Sequence, residues 1–151
     1  MKIVICGSIS FTPKIKEIAD KLKKRGHSVE IPFYSQKILS GEISLEEFER
    51  IKQQNGDLGF RKQSQEDLIK RYFRLIKKAD AILVVNLDKR GVKNYIGGNT
   101  FLEMGFAYVL NKKIFLFNDI PDMLYKDEIR AMKPIIINRD LNKIQWSWNQ
   151  N

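Results

Sequence analysis

The chain has 151 residues, 43% hydrophobic and 30% charged, with one cysteine and a formal charge of +9. That balance fits a single globular domain over residues 1–151 and excludes a disordered chain. No apolar run approaches the roughly 20 residues of a membrane-spanning helix, and one cysteine forms no internal disulfide. The opening Met1-Lys2-Ile3-Val4-Ile5-Cys6-Gly7 starts directly as a strand, without the pattern of a signal peptide. A reducing, cytoplasmic location is the expectation, with no membrane partner. The positive charge could attract anions, but much of it falls at helical spacing, as on Lys14, Lys21, Lys70, Arg74 and Lys77. Such spacing reads as solvated helix faces. No aromatic-basic recognition motif accompanies it, so nucleic acid is not the expected partner.

The elements follow in chain order. Lys2 to Cys6 is a continuously apolar run, as a strand buried on both faces requires. Gly7-Ser8-Ile9-Ser10 breaks it. Thr12-Pro13 predicts a helix start, with a capping hydroxyl and a proline at the first helical position. Ile15, Ile18, Ala19 and Leu22 continue at helical spacing, and Gly26 ends the helix. Val29 to Phe33 predicts a second strand, and Ser35 to Gly41 an irregular stretch. Ser44-Leu45-Glu46-Glu47 has the form of a capping box, and Asn55-Gly56 marks a turn. Asp57 to Gln63 reads as a loop. Ser64-Gln65-Glu66-Asp67 can cap a further helix bearing Ile69, Tyr72, Phe73 and Ile76 on one stripe.

Ala81 to Val85 is the clearest strand, followed by Asn86-Leu87-Asp88 and a polar loop to Tyr95. Gly97-Gly98-Asn99-Thr100 leads into a helix carrying Phe101, Met104, Ala107 and Tyr108. Ile114 to Phe117 is the next strand, Lys126 to Met132 a short helix, and Pro134 to Ile137 the last strand. Residues 140–151 form an irregular tail with both tryptophans. Alternating strands and helices give an α/β, flavodoxin-like (Rossmann-like) three-layer fold with a five-stranded parallel sheet in the order 2-1-3-4-5. Ligands of such sheets bind outside the carboxyl ends of the strands, at the switch between the first and third.

That rule selects three segments. Gly7, Ser8 and Ile9 stand between a strand and a helix, where backbone N–H groups and a hydroxyl suit a phosphate or a sugar. They match no dinucleotide or P-loop pattern. Asn86 and Asp88 leave a buried strand at its carboxyl end and can hydrogen-bond a ligand. Gly97-Gly98 permits positive φ and close backbone approach, with Asn99 or Thr100 as a cap. Glu103 is then expected in the first helical turn, held ionised by the helix dipole and N–H donors. Such a carboxylate can act as a nucleophile at an anomeric carbon. Thr100-Phe101-Leu102-Glu103 equally matches a capping box in which Glu103 bonds the Thr100 N–H. One histidine and one cysteine supply no usual zinc set, and His27 lies at the far edge of the expected sheet from the site. No metal, cofactor or nucleophilic triad is therefore expected.

Ile3-Val4-Ile5-Cys6-Gly7-Ser8-Ile9, Ala79 to Asn86, and Gly97 to Tyr108 followed by Asn111-Lys112-Lys113-Ile114-Phe115 resemble the nucleoside 2-deoxyribosyltransferase family and its relatives, the 2′-deoxynucleoside 5′-phosphate N-hydrolases. The resemblance spans about residues 2–118 and centres on Glu103-Met104-Gly105-Phe106-Ala107 after a glycine turn. It implies cleavage of the N-glycosidic bond of a (deoxy)nucleoside or nucleoside 5′-monophosphate, by hydrolysis or by deoxyribosyl transfer. Glu103 matches the family nucleophile, and Gly7, Ser8 and Ile9 match the loop that meets the sugar or its phosphate. The resemblance also implies a homodimer or larger homo-oligomer. The family usually has an acid where this chain has Asn86, so either Asp88 takes that role or base activation comes from elsewhere. Two further readings stand beside the enzyme: a nucleotide-sensing module of the same fold, and a nucleic-acid-binding protein.

Overall fold

The computed structural model describes residues 1–63 and 67–145, with 55–63 as backbone only. Five strands form one parallel sheet: β1 (Lys2–Gly7), β2 (Ser28–Glu30), β3 (Ala81–Val85), β4 (Lys113–Leu116) and β5 (Ile135–Ile136). Their order is β2-β1-β3-β4-β5, which makes the fold flavodoxin-like. All five residues of β3 and the inner four of β1 are buried. The apolar runs of the sequence are therefore the central strands, covered on both faces.

Strand alternation sorts the core into two layers. Ile3, Ile5, Leu83, Val85 and Phe115 meet Ile15, Ile18 and Leu22 of α1 (Thr12–Lys24). Val4, Cys6, Ile82, Val84 and Leu116 face the other way. They meet Tyr72 and Ile76 of α4 (Leu68–Lys77), Met104 and Ala107 of α5 (Gly98–Val109), and Ile129 of α6 (Lys126–Ala131).

Several local expectations give way to competing interactions. Thr12 is not the cap of α1; Phe11 holds that position. The Thr12 hydroxyl instead donates to the Ile9 carbonyl at 2.6 Å and lies 2.8 Å from the Ser35 hydroxyl. The second strand stops at Glu30, because Pro32 caps α2 (Phe33–Leu39), a helix where irregular chain was expected. The Phe33 N–H, freed at that helix start, donates to the Tyr72 hydroxyl at 2.6 Å. No turn forms at Asn55-Gly56, and 57–63 is no loop: α3 (Leu45–Gln63) runs through both. Ser44 does cap α3, accepting from the Glu47 N–H at 3.0 Å. Asp67 caps α4, accepting from Ile69 and Lys70 at 3.0 and 3.2 Å; Ser64, Gln65 and Glu66 lie outside the described residues.

The tail is ordered at its start. Asp140 accepts from the Asn142 N–H at 3.0 Å, and a 3-10 turn, Leu141–Lys143, buries Leu141 and Ile144 against the α1 layer. Trp146 and Trp148 lie outside the described residues. Among the described residues no helix is long and apolar enough to cross a membrane.

Gly7 ends β1 in register with Val85. A Cβ there would stand 2.9 Å from the Val85 carbonyl oxygen, whereas one at Gly98 would meet nothing within 4 Å. Gly7→Ala is therefore expected to lose about 1–3 kcal/mol of stability in urea denaturation, and Gly98→Ala to stay within about 1 kcal/mol of the parent. Equal midpoints for parent and Gly7→Ala would contradict this close approach.

Candidate functional site

The carboxyl end of β1 and the loop that follows β3 open onto a cavity of about 370 Å³, a size suited to a small molecule. Gly7, Ser8 and Ile9 form one wall; Gly97, Gly98, Asn99, Thr100 and Glu103 form another. The structure thus brings together the first and third segments selected in the sequence.

The second segment does not join them. Asn86 is fully buried and takes no part in the cavity lining. Its Oδ1 accepts from the Asn118 N–H at 2.9 Å, and its Nδ2 donates to the Asp119 carbonyl at 2.9 Å. The Asn118 amide returns a bond to the Asn86 carbonyl at 2.8 Å. Asn86 thereby satisfies backbone groups that leave the sheet at the ends of β3 and β4. Asp88 is exposed and outside the lining as well. Its carboxylate accepts from the Asn94 N–H at 2.9 Å and closes a small hairpin. Lys89 and Val92 exchange backbone bonds at 3.0 and 2.9 Å around Arg90 and Gly91, whose φ values are 51° and 73°. Two consecutive left-handed residues make a primed turn, and glycine suits the second. Asp88 therefore supports the loop that brings Lys89 and Arg90 to the cavity rim.

The glycine turn works by size, not by positive φ. Gly97 has φ −78° and caps α5 without a side-chain bond. A Cβ on it would come within 3.3 Å of the Tyr95 ring. The turn is held from both sides. Tyr95 N–H donates to the Leu87 carbonyl at 2.8 Å, and the Tyr125 hydroxyl donates to the Ile96 carbonyl. Tyr125 also stacks on Phe101 at 4.5 Å.

With Gly97 as cap, Asn99 and Thr100 lie inside the helix, and no acidic residue occupies the first turn. Glu103 stands one turn further along, so neither the capping box nor dipole stabilisation applies. It is half-buried and lines the cavity, on the layer of the sheet that also holds the Cys6 thiol of β1. Burial pushes its pKa up from the ordinary carboxylate value to about 7, opposed by that thiol. The expectation of an ionised, dipole-held carboxylate is thus corrected: Glu103 is poised between its two protonation states near neutrality. Burial, with Glu103 nearby, also raises the Cys6 thiol and the Tyr72 phenol, so both keep their protons at neutral pH.

The remaining lining was missed in the sequence. Lys52 of α3, and Lys89 and Arg90 of the hairpin, supply the cationic lining; Glu103 is the acidic lining residue. The Lys89 ammonium donates to the Ser8 hydroxyl at 2.6 Å and lies 5.7 Å from the Tyr95 ring centroid. Phe33, Tyr34, Tyr72, Tyr95 and Phe106 add aromatic surface. The Arg90-Gly91 dipeptide carried a turn signal that could have located the hairpin. Nothing local marks Phe33 or Lys52, which only tertiary packing brings near. Among the described residues no group of three or more His, Cys, Asp or Glu could hold a metal.

No family model and no curated protein matches the chain. Among solved structures, it is similar to the Clostridium botulinum CMP N-glycosidase BcmB, with a TM-score of 0.47, 16% identity, and coverage of 91% of this chain and 90% of that one.

The raised pKa has a consequence for stability. Between about pH 4.5 and 7 the unfolded chain releases the Glu103 proton while the folded chain keeps it, so this contribution to stability falls as pH rises through that window. Above it the penalty is complete. Glu103→Gln removes the ionisation and is expected to match the parent near pH 4 but exceed its stability near pH 8 by on the order of 2–3 kcal/mol. Parallel pH–stability curves for the two proteins would refute a high-pKa carboxylate.

Proposed function

We propose that the protein cleaves the N-glycosidic bond of a nucleoside 5′-monophosphate. The observation that carries this reading is the charge arrangement of the cavity: a half-buried carboxylate, Glu103, faces a lining whose other charged residues are Lys52, Lys89 and Arg90. The cations suit a phosphate, the aromatic side chains suit a base, and the carboxylate suits the anomeric carbon between them. The motif resemblance to the nucleoside 2-deoxyribosyltransferases and 2′-deoxynucleoside 5′-phosphate N-hydrolases points the same way.

In this reading ionised Glu103 attacks the anomeric carbon as the carbon–nitrogen bond breaks, and the base leaves with that bond's electron pair. The base takes its proton from solvent, because Asp88 is committed to the hairpin and Glu103 is the acid of the described lining. Water then hydrolyses the glycosyl ester, releasing the sugar phosphate and restoring the carboxylate. A free base in place of water would make the reaction a transfer. Ser8, next to Lys89, stands where the phosphate would bind, and the hairpin is its clamp.

The missing second acid favours one competing reading, a module that binds the nucleotide without turning it over. Incubation with a panel of nucleosides and their 5′-monophosphates separates the two. Free base is expected from the monophosphates. Glu103→Gln is expected to lose at least about 100-fold in rate, where about 1.4 kcal/mol of barrier is tenfold. Arg90→Ala is expected to raise KM for the monophosphate about tenfold while sparing the nucleoside, as loss of a charge-assisted bond implies. Thermal stabilisation by nucleotide without any base release would favour the sensing module. Undiminished base release by Glu103→Gln would remove the nucleophile assignment.

We further propose a homodimer closed through α5. This helix carries one ionisable acid, Glu103, and turns Leu102 and Val109 outward at 40% and 70% exposure, with open space beside Gly105 between them. The outward strip of this helix carries no charge, and an uncharged apolar strip gives a +9 chain a face on which two copies can meet. Light scattering is expected to give twice the chain mass for the parent and the chain mass for Val109→Lys. A monomeric parent at tens of micromolar would exclude the dimer.

A further inference from the structure

Tyr72 lines the cavity from α4, on the same helix face as Leu68 and Ile69 one turn earlier. It is only 8% exposed, yet it borders open space. A phenolic hydroxyl can accept and also has one proton to donate. The Tyr72 oxygen accepts from the Phe33 N–H at 2.6 Å, which holds the tip of the side chain at the start of α2. Its own proton has no acceptor among the described residues. A buried donor left unpaired is costly until something accepts from it. The cavity is where an acceptor can enter.

The neighbours of Tyr72 decide which part of a ligand meets it. Ser8 and Lys89, bonded to each other at 2.6 Å, belong to the β1 loop and the hairpin, with Arg90 beside them. Tyr72 stands instead with Phe33, Leu68, Ile69 and Phe106, a largely apolar wall that suits a base. That wall runs on into α5. The Phe73 ring meets the Phe106 ring edge-on at 5.4 Å, and Phe106 is one turn beyond Glu103. The Tyr72 turn of α4 is thus packed beside the Glu103 turn of α5.

We propose that the Tyr72 hydroxyl donates a hydrogen bond to the base atom beside the glycosidic nitrogen, O2 of a pyrimidine or N3 of a purine. This rests on the reading of the cavity as a nucleotide site with the anomeric carbon at Glu103. As the carbon–nitrogen bond breaks, its electron pair passes to the base, and negative charge spreads to that atom. The bond from Tyr72 strengthens as the charge grows, so it assists departure of the base and not only its binding. The phenol keeps its proton, since burial holds it above its ordinary pKa. The departing base still takes its proton from solvent.

The test is calorimetry on Glu103→Gln, so that turnover does not intrude. AMP is compared with 3-deaza-AMP, in which C–H replaces N3, and CMP with 2-thio-CMP, in which sulfur replaces O2. Each natural nucleotide that binds is expected to do so about 5- to 10-fold tighter than its analogue, and adding Tyr72→Phe to bring that ratio to within about twofold of one. In the cleavage assay Tyr72→Phe alone is expected to lose about tenfold or more in kcat. A Tyr72 that only holds the Phe33 N–H would lower the unfolding midpoint and leave the ratios alone; unmoved ratios overturn the inference. So do analogues that bind Glu103→Gln as tightly as AMP and CMP, a comparison that decides even if Tyr72→Phe does not fold. Binding of neither nucleotide removes the inference together with the nucleotide reading. The remaining failures separate. Ratios that collapse in Tyr72→Phe, with no base release by the parent, keep the contact and sink the reaction; base release with unmoved ratios does the reverse.

Discussion

The structure depends on the parallel pairing of β1 with β3 at the centre of the sheet. Parallel neighbours cannot be joined by a tight turn, so each strand must send its chain away over a face of the sheet. β1 leads into α1 on one face, and β3 leads through the hairpin into α5 on the other. Where the two exits diverge, the sheet cannot close over its own edge, and a crevice remains. The register brings Gly7 beside Val85 at that point, so close that no side chain fits on Gly7. Ser8 and the Gly97 turn then face each other across the opening as a consequence of backbone geometry.

The parts legible in the sequence are those in which one strong signal acts alone. The apolar runs at Ile3 to Cys6 and Ala81 to Val85 have no polar alternative, and they form the central strands. The caps at Ser44 and Asp67 are equally local. The failures occur where a tertiary partner competes with a local rule. Thr12 had a capping position open to it but found Ser35. Phe33 had strand neighbours but found Tyr72 through its freed N–H. Asn55-Gly56 carries a turn signal worth about 1 kcal/mol as a helix penalty, too little to break a long helix. Leu141 and Ile144 show no period, yet the exposed edge of the α1 layer takes them in.

The site was legible to the extent that topology determined it. Gly7 to Ile9 and Gly97 to Glu103 were found because the switch-point rule depends on strand order alone. Asn86 and Asp88 satisfied the same rule but do not line the cavity, and the reason is hydrogen-bond demand. The residue leaving a fully buried strand must satisfy backbone groups that the sheet no longer pairs, and Asn86 does this with Asn118 and Asp119. A primed hairpin needs an acceptor for the amide that returns the chain, and Asp88 provides one. Polar side chains at strand ends serve structure first, and sequence cannot tell when that demand has been met elsewhere.

The partial burial of Glu103 gives the proposed chemistry its energetic logic. On the cavity wall the carboxylate lacks full solvation, and its affinity for a proton rises. That cost falls on the ground state. As a glycosidic bond breaks, positive charge develops on the sugar ring directly against the carboxylate, in surroundings where water screens little. The interaction is then stronger in the transition state than before it, which is the condition for binding energy to appear as rate. A carboxylate fully satisfied at a helix start would have been ionised and stable, but less in need of the developing cation. Its position one turn beyond the dipole, on the cavity wall, fits a nucleophile better than the capping site expected from its spacing.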